Sequence, residues 1–338
     1  MTGIITNTSG GKSSMAQAII IKQKYSEDFN EQICVFANTG LENEETLDFI
    51  DKCDKHYGLN IVWLEAVVHG HNKGNTHRIT DFENAYRIHQ YKDPLHPFHA
   101  HVKKNGVPNQ AYPQCSDRLK QNVIESYRAS IKAKHYKQAL GFRADEPNRV
   151  CSAQVRKVLR DIGVDDLHFR NAGESRIEHL KDNPLFRFIG KKDLNKLEAY
   201  SKKLNKYNLV FPICDWSPMT KEDINIFWEE QPFNLGIDDH EGNCATCWKK
   251  SDKKLFLLAK ERPERFEAFK WLESEYKDIK DNKKSRLFFR GHRSTEMIIG
   301  ESKNYDTWAL RRMIGVNDDK QDGCSSSCNG YDLFEGEL

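Results

Sequence analysis

The first fourteen residues constrain this chain more than any other stretch. Residues 3–8 are short, apolar and β-branched and read as a strand. The turn Ser9-Gly10-Gly11-Lys12-Ser13-Ser14 follows, and Met15 to Lys24 then reads as a helix. Strand, glycine turn and helix together predict an α/β fold. Two adjacent glycines let the backbone turn tightly and approach a ligand closely. The helix behind them aims its free N–H groups and positive dipole end at the turn, which suits an anion. Ser9, Ser13 and Ser14 add hydroxyl donors, and Lys12 adds a charge. An ordinary Gly/Ser β-to-α turn is the alternative for the hexapeptide alone. It is not a Walker A loop, which needs a glycine five residues before Gly11, where Thr6 stands.

The alternation continues along the chain. Gln32 to Ala37 is a second strand. Glu44 to Tyr57 carries Leu47, Phe49, Ile50, Cys53 and Tyr57 near a helical period, and Asn60 to Glu65 is a third strand. From His69 to Pro113 the pattern fades into His, Asn and Pro, as in an irregular insertion or lid. Leu119 to Lys132 returns to helix, and Tyr136 to Gly141 is a fourth strand. Residues 151–206 read as mostly helical and Lys-rich towards the end; Asn208 to Ile213 is a fifth strand. Thr220 followed by Asp223 opens a further helix with a capping-box pattern. The expected architecture is a parallel sheet with crossover helices over residues 1–235, with the insertion at about 69–113. A mainly helical, cysteine-containing region follows over 236–338.

Charge does not choose a partner, because the formal total is only +2. A local basic patch could, and the Lys-rich stretch Lys191 to Lys206 is the candidate for nucleic-acid contact; a solvated helix face is the alternative. No apolar run approaches the roughly 20 residues a membrane helix needs. The first strand begins almost at once, leaving no room for a leader, so the expected location is cytoplasmic. Nine cysteines without a leader argue against a disulfide framework and for metal binding, redox chemistry or burial. Cys34, Cys53, Cys151 and Cys214 fall in or near predicted elements and read as small buried hydrophobes. Cys244 and Cys247 form a close pair after Gly242-Asn243, and Cys324 and Cys328 a wider one. Seven histidines lie between His69 and His101 (His69, His71, His77, His89, His96, His99 and His101) in no metal-ligand spacing.

Five motifs in order carry a resemblance. Ser9 to Ser14 resembles the SGGxDS pyrophosphate loop of the PP-loop ATP pyrophosphatase superfamily, with Ser13 for the usual Asp. Phe36-Ala37-Asn38-Thr39-Gly40 with Glu44-Glu45-Thr46 resembles the DTG…PET stretch of phosphoadenosine phosphosulfate (PAPS) reductases, with Asn38 for Asp. Cys115-Ser116-Asp117-Arg118-Leu119-Lys120 is similar to their Cys-x-x-Arg-Lys segment. Gly141 to Glu146 is similar to their G-x-R-x-x-E turn, and Pro212 to Trp216 to their P-I-x-D-W strand end. The likeness extends to PAPS-reductase-like proteins of phages and prophages.

The resemblance implies an adenine nucleotide α-hydrolase-like, Rossmann-like fold with ATP or a related adenine nucleotide at the carboxyl ends of the strands. It implies that Ser9 to Ser14 hold phosphate, that Asn38, Thr39 and Gly40 line the pocket, and that Lys120 and Arg143 are phosphate ligands. Lys12, Arg143 and Asp145 are the expected catalytic groups, Asp145 or Glu146 holding Mg²⁺ or a substrate amine. The ECGxH tail of sulfite-forming reductases is missing. The expected chemistry is therefore adenylation with pyrophosphate release, followed by sulfur or group transfer. A sulfonucleotide reductase and a non-catalytic nucleotide-sensing subunit are the alternatives. A nucleic acid or nucleotide acceptor and a sulfur-donor protein are the partners the comparison suggests. Cysteine-bearing relatives imply an iron–sulfur cluster on Cys115, Cys244 and Cys247, although Gln114 replaces the first cysteine of the family's pair. A zinc site on Cys244, Cys247, Cys324 and Cys328 is the alternative.

Overall fold

The computed structural model describes residues 3–70, 73–238, 240–242, 244–278 and 285–317, side chains of 315–317 excepted. Six strands form one sheet: β1 (Ile4–Thr8), β2 (Gln32–Asn38), β3 (Val62–Val67), β4 (Thr76–Thr80), β5 (Lys137–Leu140) and β6 (Leu209–Val210). Their order is β4-β3-β2-β1-β5-β6. Every neighbouring pair is parallel except β3 with β4. β1 is the central strand, with Ile4 opposite both Gln32 and Lys137. All five of its residues are buried, which is why it reads as a continuous run without alternation. The chain builds outward from β1 to β4 and then returns to β1's other side with β5. The strand order therefore reverses between β1 and β5, the position where open α/β sheets form a ligand crevice.

The helix after β1, α1 (Lys12–Lys24), is buried from Ser13 through Ile21. It lies between the sheet and a second helix, Lys221–Glu229, whose Trp228 Nε1 donates to the Lys12 carbonyl at 3.0 Å. That second helix starts as its pattern predicts. Thr220 Oγ1 accepts from the Asp223 N–H, and the Asp223 carboxylate accepts from the Thr220 N–H at 2.7 Å. After β2, α2 (Glu44–Tyr57) ends at Gly58, whose φ of 61° is the left-handed cap that glycine allows.

Two stretches differ from their sequence pattern. Residues 69–113 hold two regular elements, the antiparallel edge strand β4 and the helix α3 (Pro97–Asn105). α3 is packed rather than lid-like: His96, His99 and His101 are buried, and Phe98 lies 5.7 Å from Phe269 and 6.3 Å from Phe288 between ring centres. β6 has only two residues, because Pro212 carries no N–H for a ladder and instead begins the short helix Pro212–Asp215.

Beyond residue 250 the described chain is helical, at Asp252–Glu261, Glu267–Tyr276, Thr295–Ser302 and Thr307–Asn317. One buried apolar cluster runs from Ile5, Val35 and Leu64 in the sheet through Phe98 to Leu257, Phe269 and Leu310 in these helices. No described helix is long and apolar enough to cross a membrane.

Candidate functional site

The loop after β1 is held by its own serines. Ser14 Oγ accepts from the Ser9 N–H at 3.1 Å, lies 3.1 Å from Ser9 Oγ, and donates to the Gly11 carbonyl at 2.9 Å. These two hydroxyls fasten the loop. Gly11 is the N-cap of α1 and offers no side chain to the first N–H groups, which remain for an outside acceptor. Gly10 has φ of 76°, and a Cβ there would lie 2.5 Å from Thr46 Cγ2 and 2.9 Å from Ile50 Cδ1. The glycine thus lets α2 press against the loop.

On the other side, a Cβ at Gly141 would lie 2.8 Å from Ser14 Cα, so this glycine lets the end of β5 reach the loop. The turn beyond it delivers Arg143. Its Nη1 lies 3.5 Å from Ser13 Oγ, its Nε donates to Asp145 Oδ1 at 2.8 Å, and its Nη2 lies 3.6 Å from Glu146 Oε1. Asp145 Oδ2 accepts from the Lys221 N–H at 3.2 Å. Asp145 therefore ties Arg143 to the start of the helix Lys221–Glu229.

Between these parts is a cleft of about 560 Å³, including its open mouth. Ser9, Gly10, Gly11, Lys12, Ser13, Thr46 and Arg143 form one wall. The other is formed by Lys221, Ile224, Asn225, Leu235, Ile237, Asp238 and Gly242. The cleft gathers three cationic side chains, the unfilled end of α1 and three aliphatic side chains, a combination suited to a phosphate-bearing ligand with a flat apolar part. Thr46 Oγ1 is buried here with no hydrogen-bond partner among the described residues, a donor or acceptor that a ligand would satisfy.

Asn38, Thr39, Gly40 and Lys120 do not line this cleft. Asn38 is fully buried, donating to Glu65 Oε1 at 2.6 Å and the Tyr86 carbonyl at 2.9 Å while accepting from the Gly40 N–H at 3.1 Å. Thr39 donates from backbone and hydroxyl to the Glu42 carboxylate at 2.9 Å. Lys120 is buried, 3.7 Å from Glu42 Oε1. The Gly40 carbonyl meets His96 Nε2 at 3.2 Å. Burial holds His96 down at about 4 and His101 at about 3, so both are neutral in the folded chain at pH 7. Glu42 and Glu65, the anionic anchors of this layer, were not singled out from sequence; Glu65, a charge at the end of an apolar strand, was the available signal.

The cysteine pair sits against the same layer. Cys244 bridges to Glu42, the Ala245 N–H donates to the Leu41 carbonyl at 2.9 Å, and Cys244 Sγ lies 3.7 Å from Thr39 Oγ1. The Cys247 N–H to Cys244 carbonyl contact of 3.3 Å folds the two cysteines into one turn. Cys115 opens the helical run that carries Lys120. Among the described residues, no three or more His, Cys, Asp or Glu side chains are grouped to hold a metal. Cys324, Cys328 and His71 lie outside the described residues. Cys34, Cys53 and Cys151 are buried, and Cys214 is half-buried against the core. Burial pushes the thiols of Cys53, Cys151 and Cys214 up to about 12, and that of Cys34 up further.

A family model of the phosphoadenosine phosphosulfate reductase domain matches residues 3–231, which spans the sheet, the loop, Arg143 and Lys221. The chain belongs to this family. It is also similar to the uncharacterized nin region protein ORF290 of Escherichia phage lambda, at 25% identity over 344 aligned residues, covering 99% of this chain and 96% of that protein. The uncharacterized protein MJ0066 of Methanocaldococcus jannaschii is 28% identical over 128 residues, 36% of this chain and 20% of that protein. No solved structure gives a significant match. The family and its α/β fold, read from five motifs, are thereby shown, as is the phage relationship.

Proposed function

We propose that this PAPS-reductase-family protein is an enzyme that binds ATP in the cleft between β1 and β5 and adenylates an acceptor. The observation that carries this reading is the convergence of Lys12, Arg143, Lys221 and the uncapped start of α1 on one cleft with an aliphatic wall. The N–H groups of α1 and Lys12 would hold the outer phosphates, and Ile224, Leu235 and Ile237 would cover the adenine. An acceptor oxygen attacks the α-phosphorus, the bond to the bridging oxygen breaks, and pyrophosphate leaves with that electron pair. A nucleophile, sulfide or an amine, then displaces AMP. The protein's share is to align the groups and offset the charge developing around phosphorus, with Arg143 nearest the loop.

Mg²⁺ keeps several waters and needs only one or two carboxylates besides phosphate. Asp238 in the cleft wall and Asp145 beside Arg143 are the carboxylates that would hold it. An iron–sulfur cluster or zinc would begin from Cys244 and Cys247, which share one turn; among the described residues no third ligand groups with them. Further ligands to a metal on Cys244 and Cys247 would come from Cys115, or from Cys324 and Cys328 outside the described residues, and the transfer written above does not require it. Metal analysis of anaerobically purified protein tests this.

The deciding assay is pyrophosphate release from ATP with candidate nucleotide and nucleic-acid acceptors, beside sulfite release from PAPS with thioredoxin. Acceptor-dependent pyrophosphate supports the proposal. Sulfite from PAPS without pyrophosphate from ATP refutes it.

A further inference from the structure

We infer that the basic face of the helix Lys191–Tyr207, with Phe188 just ahead of it, is a docking surface for single-stranded nucleic acid. The inference does not depend on what the cleft holds. Residues 183–207 contain seven Lys or Arg and two Asp or Glu, a net of +5 in a chain whose total is +2, so all other residues sum to −3 (2 minus 5). The helix buries Leu197, Tyr200, Ser201 and Leu204. With 3.6 residues per turn, Lys191, Lys192, Lys202, Lys203 and Lys206 fall on the opposite face, spanning roughly 22 Å, and Lys196 lies at its edge.

Some lysines elsewhere on the surface are matched by nearby carboxylates, as Lys55 is by Asp51, Lys157 by Asp161 and Lys181 by Glu178. On this face Lys196 pairs with Asp193 at 3.4 Å, whereas Lys191, Lys192 and Lys202 make no ion pair among the described residues. A helix that holds this many like charges on one side carries a standing repulsion that a polyanion would relieve. Lys202 and Lys206 also border a groove along one flank of the helix. This shallow groove, against the helix Arg176–Lys181, is lined by Ile177, Glu198, Ser201, Lys202, Asn205 and Lys206.

Phe188 selects single strands over duplex. It is 71% exposed, and the Arg187 guanidinium lies 4.9 Å from its ring centre. An exposed aromatic beside a lysine track is a stacking platform for an unpaired base, and duplex bases cannot reach it. An acidic protein or an anionic membrane would satisfy the lysines but would not use the ring.

The test is fluorescence anisotropy of a labelled oligodeoxythymidylate and of a duplex of the same length, without ATP, across a salt series. Saturable binding of the single strand is expected. The combined Lys191→Gln, Lys192→Gln, Lys202→Gln and Lys206→Gln variant should weaken it and reduce the slope of log K against log salt by up to about 3, at about 0.7 per phosphate contact. Phe188→Ala should weaken single-strand binding at least about fivefold and leave any duplex binding unchanged. All substituted residues are exposed, and the variants should unfold at the parent's temperature. No binding of the single strand, an unchanged salt slope in the lysine variant, or equal binding of duplex with no response to Phe188→Ala would each overturn the inference.

Discussion

Gly10→Ala should unfold the protein more readily, and the structure gives the size. Gly10 has φ of 76°, a left-handed conformation that costs an L-residue about 1–2 kcal/mol. The added Cβ would lie 2.5 Å from Thr46 Cγ2 and 2.9 Å from Ile50 Cδ1, so α2 must move or the side chains must leave their rotamers. Overpacking of that kind costs about 1–3 kcal/mol. The sum, about 2–5 kcal/mol, is a large part of the about 5–15 kcal/mol that holds a typical domain folded. From sequence alone this substitution reads as a binding defect; the packing makes it a folding defect first. Gly11→Ala is the control, because φ −83° and ψ 155° suit any residue. Urea unfolding followed by circular dichroism measures both variants. A Gly10→Ala midpoint corresponding to less than about 0.5 kcal/mol of loss would show that α2 does not clamp the loop.

Stability should fall between pH 6.5 and pH 4. His96 and His101 are held neutral by burial, at about 4 and about 3 against 6.5 when unfolded, so the unfolded chain binds more protons in that window. The contribution is fully present above pH 6.5 and lost as pH falls towards the folded values; an unchanged urea midpoint between pH 7 and pH 5 contradicts it. Brief treatment of the native protein with iodoacetamide should label Cys115 or Cys244 and spare Cys34, Cys53 and Cys151, whose thiols are buried and pushed up by that burial. Mass-spectrometric mapping that finds the three buried cysteines modified first would contradict the packing described.

The strands that frame the cleft were legible because each is an apolar run bounded by a turn, as in Ile4–Thr8 and Gln32–Asn38. β4 was not, because Thr76–Thr80 is a largely exposed edge strand and its polar residues hide no alternation. α3 was read as polar because histidines occupy positions that an apolar residue usually fills. The partners Gly40 and Tyr276 that meet the Nε2 atoms of His96 and His99 are remote in sequence. The site divides in the same way. Ser9 to Ser14 and Arg143 were marked by local motifs. Lys221, Leu235, Ile237 and Asp238 reach the cleft only because Trp228 and Asp145 dock their segment onto the loop. Asn38 illustrates the converse, a motif residue whose hydrogen bonds are all spent within the protein.

The central claim is that an adenine nucleotide binds between the loop after β1 and the helix beginning at Lys221. Isothermal calorimetry of ATP against the parent and the Lys221→Ala variant tests it most directly. Lys221 lies in the cleft wall outside the glycine loop, so its loss tests the cleft itself. The account predicts one saturable site and an affinity at least about fivefold weaker in the variant, as for loss of one charge-assisted contact of roughly 1 kcal/mol or more. No heat of binding in the parent, or equal affinity in a folded Lys221→Ala variant, would contradict it.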